Sequence, residues 1–328
     1  MQRGKGSKML RFFIIALAVL MAAPAMAQAN YPTRPIRFIV PFAPGGSNDF
    51  TARLMAPRMA ARLGQPVVIE TRSGAGGMTG VDVAAKAPAD GYTMALGTTG
   101  AIVIGPSLTR NPPFVAERDL APITLAINVQ VPIVVPAQSP YRSLQDFLAA
   151  AKAQPGKITF GSSGTGGMPH LAGELLNQVA GVQMVHVPYR GGGPVGTALL
   201  QAEVDMGMSD MSVFLAHHRA GTMRILAVGS AQRLPYLPDV PTLAESGITG
   251  VETSNWHGLV TAAGVPDAIL DRLNAAAAAS LRDPEVVKAL NDQGIDPVGS
   301  SRAELAALIR ADKARWAEVI RRANIRPE

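Results

Sequence analysis

The sequence contains no cysteine, and only 5% of its 328 residues are aromatic. Without cysteine the chain forms no disulfide bond and carries no cysteine-linked lipid anchor, so its hydrophobic core must supply the stability of the fold. No basic cluster is interleaved with the few aromatic residues, which argues against nucleic-acid binding. After the N-terminal segment, no apolar run is long enough to cross a bilayer.

The first 27 residues have the layout of a secretory signal peptide. Four basic residues precede the apolar run FFIIALAVLMAAPAMA, and this run ends in small residues with an A-x-A site at 25–27. Such a run is too short for a membrane span and leads directly into a cleavage pattern. We therefore predict a signal peptide over 1–27, cleavage near 27–29 and export to the periplasm.

Removal of this leader changes the charge balance of the chain. The whole sequence has 30 Lys and Arg against 24 Asp and Glu, but four of the basic residues belong to the leader, which leaves 26 against 24. A nearly neutral mature chain gives little long-range attraction for a polyanion. The high isoelectric point of the full sequence is therefore no argument for a nucleic-acid partner.

Strand-like and helix-like runs alternate through the mature chain. RPIRFIVPF at 34–42 is strand-like, and DFTARLMAPRMAARLG at 49–64 has apolar residues at helical spacing and ends on glycine. The alternation is interrupted by proline-rich passages at 111–140 and 233–247, and two long helical runs close the chain. The pattern predicts an α/β fold with mostly parallel sheets.

The two interruptions divide this pattern into two α/β units. We predict that domain I comprises 30–128 and 252–328, and that domain II, residues 129–251, is inserted within it. Two lobes joined by two crossings place a cleft between them, where loops at the carboxyl ends of strands meet.

Four glycine-rich loops each follow a strand and precede a helix. They are APGGSND (43–49), SGAGGMTG (73–80), GSSGTGGMPH (161–170) and YRGGGPVG (189–196). Free N–H groups at a helix N-terminus favour an anion, and glycine lets a ligand approach the backbone. Turn formation explains any one such loop, but four at equivalent places favour an anion-binding cleft. No P-loop pattern is present, so nucleotide binding has little support.

An enzymatic reading is the weaker hypothesis. Residue types of a Ser-His-Asp triad are present at Ser162, Ser163, His170, His186 and Asp210, but no G-x-S-x-G elbow occurs. The five histidines lack metal-ligand spacing, so we predict neither a metal nor a cofactor.

The position of Asp49 in the sequence is compatible with two roles. It follows GGSN at the predicted start of a helix, where an acid caps N–H groups and complements the helix dipole. It also stands where a carboxylate can accept hydrogen bonds from a ligand amine. We expect both roles.

Motifs along the whole mature chain resemble those of one family. The run from Tyr31 to Thr99, with PFAPGGSND, RSGAGG and DGYT in order, is followed by GSSGTGGMPHLAGELL, VHVPYRGGGP, LPDVPTLAESG and NWHGLVTAAGVP. These motifs resemble the extracytoplasmic solute receptors of tripartite tricarboxylate transporters, the Bug or TctC type. The resemblance implies a two-lobed periplasmic binding protein of type II (Venus-flytrap) that is no enzyme.

The resemblance also implies a ligand and its partners. The ligand is a small di- or tricarboxylate, aromatic carboxylate or related acid, and the receptor, a monomer, delivers it to membrane permease subunits; a membrane sensor is the alternative partner. The implied ligand-binding residues come from both lobes: Gly45, Gly46, Ser47, Asp49, Gly74, Ala75, Gly76, Gly77, Thr98, Thr99, Ser162, Ser163, Gly164, Thr165, Tyr189, Gly191 and Asp210.

Overall fold

A computed structural model describes residues 31–251 and 253–322 of the chain. The predicted signal peptide lies outside these residues. Within the described ranges, no helix combines the length and apolarity needed to cross a membrane.

The first of two sheets has six strands, drawn from both ends of the described chain. They are β1 (Ile36–Val40), β2 (Val67–Thr71), β3 (Thr93–Thr98), β4 (Leu120–Gln130), β10 (Ser254–Ala262) and β11 (Ile295–Pro297). Their order is β11-β4-β10-β3-β1-β2. β1 pairs in parallel with β2 and β3, and β10 runs antiparallel between β3 and β4. Every residue of β3 is buried, as expected of a strand covered on both faces.

Helices pack around this sheet to form the first lobe. The helices are α1 (Ser47–Leu63), α2 (Met78–Ala85), α3 (Gly105–Ser107), α4 (Ala116–Asp119), α9 (Asp267–Leu281), α10 (Pro284–Asp292) and α11 (Arg302–Arg322). A short 3₁₀-helix at Ala75–Gly77 precedes α2, and a π-helix at Gly100–Ile104 follows β3. α1 ends at Gly64, whose left-handed conformation suits a glycine C-cap.

The second sheet has five strands from the middle of the chain. They are β5 (Ile133–Pro136), β6 (Thr159–Ser162), β7 (Val185–Pro188), β8 (Met206–Met208) and β9 (Met223–Ala227), in the order β7-β6-β8-β5-β9. The helices of this second lobe are α5 (Leu144–Ala153), α6 (Met168–Ala180), α7 (Gly192–Leu200) and α8 (Met211–Arg219). β6 pairs in parallel with β7 and β8, so the loops after these strands emerge at one edge.

Two neighbouring segments connect the lobes. Gln130, the last residue of β4, pairs with Ser254, the first of β10, and the N–H of Val131 donates to the carbonyl of Thr253 at 2.8 Å. The predicted two-lobed α/β fold is thus confirmed. The prediction of mostly parallel sheets is wrong: among the described strands, four pairs are parallel and five are antiparallel, because β10 and β5 each run against two neighbours. The bounds of the two domains stay a prediction.

The C-terminal part differs from its sequence pattern in how the helical run is divided. The helical run over 266–294 is two helices, α9 and α10, with a break at Arg282 and Asp283. The break has a local cause, because Pro284 has no N–H and the Asp283 carboxylate accepts from the N–H groups of Glu285 and Val286. The π-helix after β3 and the short strand β11 were also absent from the sequence-based prediction.

Replacement of the capping residue tests this explanation. Asp283→Ala is expected to lower the free energy of unfolding by about 1 kcal/mol, because two N–H groups lose their acceptor. Asp283→Asn keeps a capping oxygen but loses the ion-pair contact of Asp283 with Arg58, at 3.7 Å. Urea unfolding of both variants separates the two effects, and an equal loss in both would contradict the capping role.

Candidate ligand site

The four glycine-rich loops meet in pairs across the cleft. In the first pair, the N–H of Ala43 donates to the carbonyl of Arg190 at 3.1 Å, and a Cβ added to Gly45 would lie 3.4 Å from the Cα of Gly193. In the second pair, a Cβ added to Gly76 would overlap the carbonyl oxygen of Thr165. The lobes therefore approach each other backbone to backbone.

Four helices begin at this junction. The starts of α1 and of α6, α7 and α8 line a small inner cavity, together with Phe42 and Thr98 and with Asn255 and His257 of β10. The volume of this cavity is about 20 Å³, which is room for about one water molecule. Helix N-termini carry partial positive charge, so their convergence favours an anion.

A larger outer cavity of about 450 Å³ adjoins the inner one. Phe42 and Ser163 line both cavities. The outer wall consists of the loop 73–77 of the first lobe and residues 163–165 and 188–190 of the second. Its volume lies within the range of about 300–1,000 Å³ that is usual for small-molecule sites. The outer cavity is thus the part of the cleft with room for an organic ligand.

A buried polar cluster joins the lobes beneath the inner cavity. Its centre is Asp210, which precedes α8 in the second lobe. From the first lobe, the hydroxyl of Ser47 donates to this carboxylate, Nδ2 of Asn255 donates at 2.8 Å, and Nε2 of His257 lies 3.3 Å away. Asn48 contacts the other ring nitrogen of His257 at 3.2 Å.

The cluster determines the charge of Asp210. Burial by itself raises the pKa of this carboxyl, but the electrostatic influence of His257 and hydrogen bonds from His257, Ser47 and Asn255 outweigh burial and hold the pKa below its ordinary value. Asp210 is therefore an anion at neutral pH. The inner cavity combines a fixed anion with helix N-termini and imidazole.

Removal of the Asp210 carboxylate should destabilise the protein strongly. Asp210→Ala leaves His257 and Ser47 buried without their partner, so we expect the free energy of unfolding to fall by about 3 kcal/mol. Urea unfolding at pH 7 measures the loss. Asp239, an exposed aspartate, provides the control Asp239→Ala, which is expected to change stability by less than about 0.5 kcal/mol; equal effects would contradict the cluster's role.

A second polar group lies behind the loop 162–167. The rings of His170 and His186 are stacked, with centroids 3.9 Å apart and planes inclined by 23°. Nδ1 of His170 accepts from the N–H of Gly166 at 3.1 Å, and Nε2 of His186 lies 2.6 Å from the hydroxyl of Ser162. Burial lowers the pKa of His170 from 6.5 to about 4. Burial, together with the neighbouring His170, lowers the pKa of His186 to about 3.

The low pKa values of these histidines predict acid sensitivity. Between pH 6.5 and 4 the unfolded chain takes up protons on both imidazoles and the folded chain does not, so stability falls as the pH falls. Each ring contributes up to about 1.4 kcal/mol per pH unit. Urea unfolding from pH 7 to 4.5 should show a smaller loss for His170→Asn/His186→Gln than for the wild type. Equal slopes would contradict these assignments.

The structure places twelve of the predicted site residues on the walls of the two cavities. Those on the inner wall are Gly46, Ser47, Thr98, Ser163 and Asp210. Those on the outer wall are Gly74, Ala75, Gly76, Gly77, Ser163, Gly164, Thr165 and Tyr189. Contact between these residues and a ligand stays a prediction.

Five predicted residues line neither cavity. Gly45 and Gly191 face the backbone of the opposite lobe. The hydroxyl of Thr99 bonds to the backbone of Trp256. Ser162 turns to His186. Packing between the lobes and local hydrogen bonds explain why these four residues lie away from the cavities. The fifth residue is Asp49.

The prediction that Asp49 caps the helix is wrong. It is the third residue of α1, whose N-cap is Gly46, and no side chain caps this helix. Its carboxylate pairs instead with Arg53, one turn later, with both oxygens at 3.0 Å from guanidinium nitrogens. The acid still complements the dipole of the first turn.

Sequence reasoning missed several cavity-lining residues. Asn255 and His257 stand two positions apart in β10 and therefore share one face of the strand. Two polar residues on the same face of a buried strand were the available signal. Phe42 and Arg190 flank the recognised glycines and carry no comparable signal.

The triad residues are not assembled as a hydrolase requires. Ser162 does contact His186, but Ser162 is fully buried and lines neither cavity. Asp210 lies between Ser47 and His257, whereas a triad needs the imidazole between the serine and the acid. Within the described ranges, no group of three or more histidine, aspartate or glutamate side chains is arranged to hold a metal ion.

Solved structures define the class of protein to which this fold and cleft belong. The periplasmic binding protein BugD superposes with a TM-score of 0.87 at 32% identity, over 91% of this chain and all of that one. An R. palustris protein with adipate gives 0.87 at 33% identity, with the same coverage. MatC of Rhodopseudomonas palustris with bound malate gives 0.85 at 30% identity, over 88% of this chain and all of MatC. The class is that of periplasmic solute-binding proteins.

The family follows from sequence comparison. A family model described as "Tripartite tricarboxylate transporter family receptor" matches residues 51–325. BugT of Bordetella pertussis is 37% identical over 302 residues, which is 92% of each chain. A Pseudomonas sp. (strain P51) protein from the tcbD-tcbE intergenic region is 38% identical over 308 residues, 93% of this chain and 91% of the relative. The chain belongs to the receptor family of tripartite tricarboxylate transporters, which confirms the resemblance.

Proposed function

We propose that this protein is a periplasmic receptor that closes its two lobes on a small organic carboxylate. It delivers the ligand to the membrane subunits of a tripartite tricarboxylate transporter. Export depends on the signal peptide at 1–27, and binding involves no chemical conversion of the ligand.

One observation carries the proposal. Glycine loops of both lobes border a cavity of about 450 Å³, and four helix N-termini converge beside it. Backbone N–H groups at such termini bind a carboxylate without a dedicated basic side chain. The cleft walls supply these groups from both sides, so a bound acid links the lobes.

The relatives support the same ligand class. The R. palustris protein was solved with adipate and MatC with bound malate, two dicarboxylates that differ in length and substitution. Apart from Arg190 on the outer wall, the glycine-rich loops leave the choice among such acids to shape and hydrogen bonding. We take adipate and malate as the first probes for this chain.

A methyl group at Gly76 tests whether closure is needed for binding. The added Cβ would overlap the carbonyl oxygen of Thr165 in the other lobe, so Gly76→Ala should weaken binding of adipate or malate by about tenfold or more. Isothermal titration calorimetry at pH 7 measures the dissociation constants. No binding of either acid, or of a panel of mono- and tricarboxylates, by the wild type would overturn the proposed function.

Gly156 provides the matched control. Its φ of 74° is close to the 61° of Gly76, so alanine meets similar backbone strain at both positions. An added Cβ at Gly156 has nothing within 4 Å. Gly156→Ala should therefore lose stability without losing affinity, and equal affinities in the two variants would contradict the closure argument.

A further inference from the structure

The loop 162–167 contributes to both cavities but has little intrinsic rigidity. Ser163, Gly164 and Thr165 line the outer cavity, and Gly167 lines the inner one. Gly164 and Gly166 have φ of 137° and 74°, values open mainly to glycine, whose backbone loses the most freedom on ordering. The loop therefore needs contacts from outside its own backbone to keep one conformation.

The stacked histidines supply these contacts at two points. His170, in the first turn of α6, accepts the N–H of Gly166 through Nδ1 at 3.1 Å. His186, in β7, contacts the hydroxyl of Ser162 through Nε2 at 2.6 Å, and that hydroxyl also accepts from the N–H of Gly164 at 3.3 Å. Because the rings are stacked, the two anchored points form one unit.

This arrangement works only with neutral rings. A proton on Nδ1 of His170 removes the acceptor for Gly166, and protonation of both rings would place two cations 3.9 Å apart. The titratable group facing the pair is Glu174, on α6 itself, with its carboxylate 3.7 Å from Nε2 of His170. β6 contributes Phe160 and Ser162 to the rings, and neither carries a charge.

We propose that His170 and His186 are positioning residues that hold the loop 162–167 in its ligand-binding conformation while both rings are neutral. Acidification then weakens ligand binding through the loop as well as through the ligand's own carboxylate. The inference rests on the proposed function for its effect on affinity, but the anchoring of the loop is measurable without a ligand.

Two substitutions at His170 separate anchoring from packing. His170→Asn keeps an acceptor at the position of Nδ1, whereas His170→Leu fills similar space without one. Hydrogen-exchange mass spectrometry at pH 7 should show exchange in 162–167 about tenfold faster in His170→Leu and close to the wild type in His170→Asn. Ser162→Ala, which leaves both rings in place, should also accelerate exchange, so the test survives if His170→Leu fails to fold.

Affinity for adipate provides the functional readout. Calorimetry at pH 7 should give about a tenfold weaker dissociation constant for His170→Leu and a value within about threefold of the wild type for His170→Asn. Rescue by asparagine is the result that a purely space-filling role would not produce. Loss in both variants, or in neither, would overturn the proposal.

The pH profile tests the requirement for neutral rings. The ratio of adipate dissociation constants at pH 4 and pH 7 contains the titration of adipate, which is the same for every variant. We expect this ratio to be about twofold larger for the wild type than for His170→Asn/His186→Gln, because a His170 pKa of about 4 leaves about half of these rings protonated at pH 4. An equal ratio would overturn the acid-sensitivity part of the proposal.

Failure of this inference is distinguishable from failure of the proposed function. If exchange is faster in His170→Leu but the wild type does not bind adipate, the anchoring of the loop by the histidines is supported. The proposal that the protein is a carboxylate receptor is then weakened. Unchanged exchange in both His170→Leu and Ser162→Ala would reject the anchoring role whatever the wild type binds.

Discussion

Contact between glycine backbones across the cleft is the constraint on which the site depends. The loop after β1 meets the loop after β7, and the loop after β2 meets the loop after β6, at distances that leave no space for a Cβ at Gly76. Such contact brings main-chain N–H groups of both lobes to one cavity. A ligand carboxylate can then be bound by the backbone, and the walls need few charged side chains.

The carboxylate of the inner cavity is paired across the lobes. Asp210 of the second lobe lies among Ser47, Asn255 and His257 of the first, and its carboxylate is ionised although most of its surface is buried. A buried anion next to several helix N-termini offsets part of their positive potential. The interlobe cluster thus contributes both to cohesion of the lobes and to the electrostatic environment of the cleft.

Three histidines form polar contacts beneath the cleft. His170 and His186 occupy a partly buried position behind one loop, where burial lowers their pKa values, and their nitrogens form hydrogen bonds with groups of that loop. His257 instead lies beside a carboxylate. The same side chain therefore supports the site in two electrostatic settings, and neighbouring residues alone determine which setting applies.

The sequence by itself determined the two-lobed α/β architecture and the four glycine loops, because hydrophobic periodicity and the spacing of glycines are local properties. Its resemblance to one receptor family implied the twelve residues that line the cavities. Tertiary structure alone decided how the loops pair, that Asp210 joins Ser47 and His257 over 163 and 47 positions of sequence, and that Ser162 faces His186 instead of the cavity. The tertiary structure also showed that Asp49, predicted as a helix cap, pairs with Arg53. Side-chain partners across a cleft depend on how two separately folded lobes approach, and no local pattern encodes that approach.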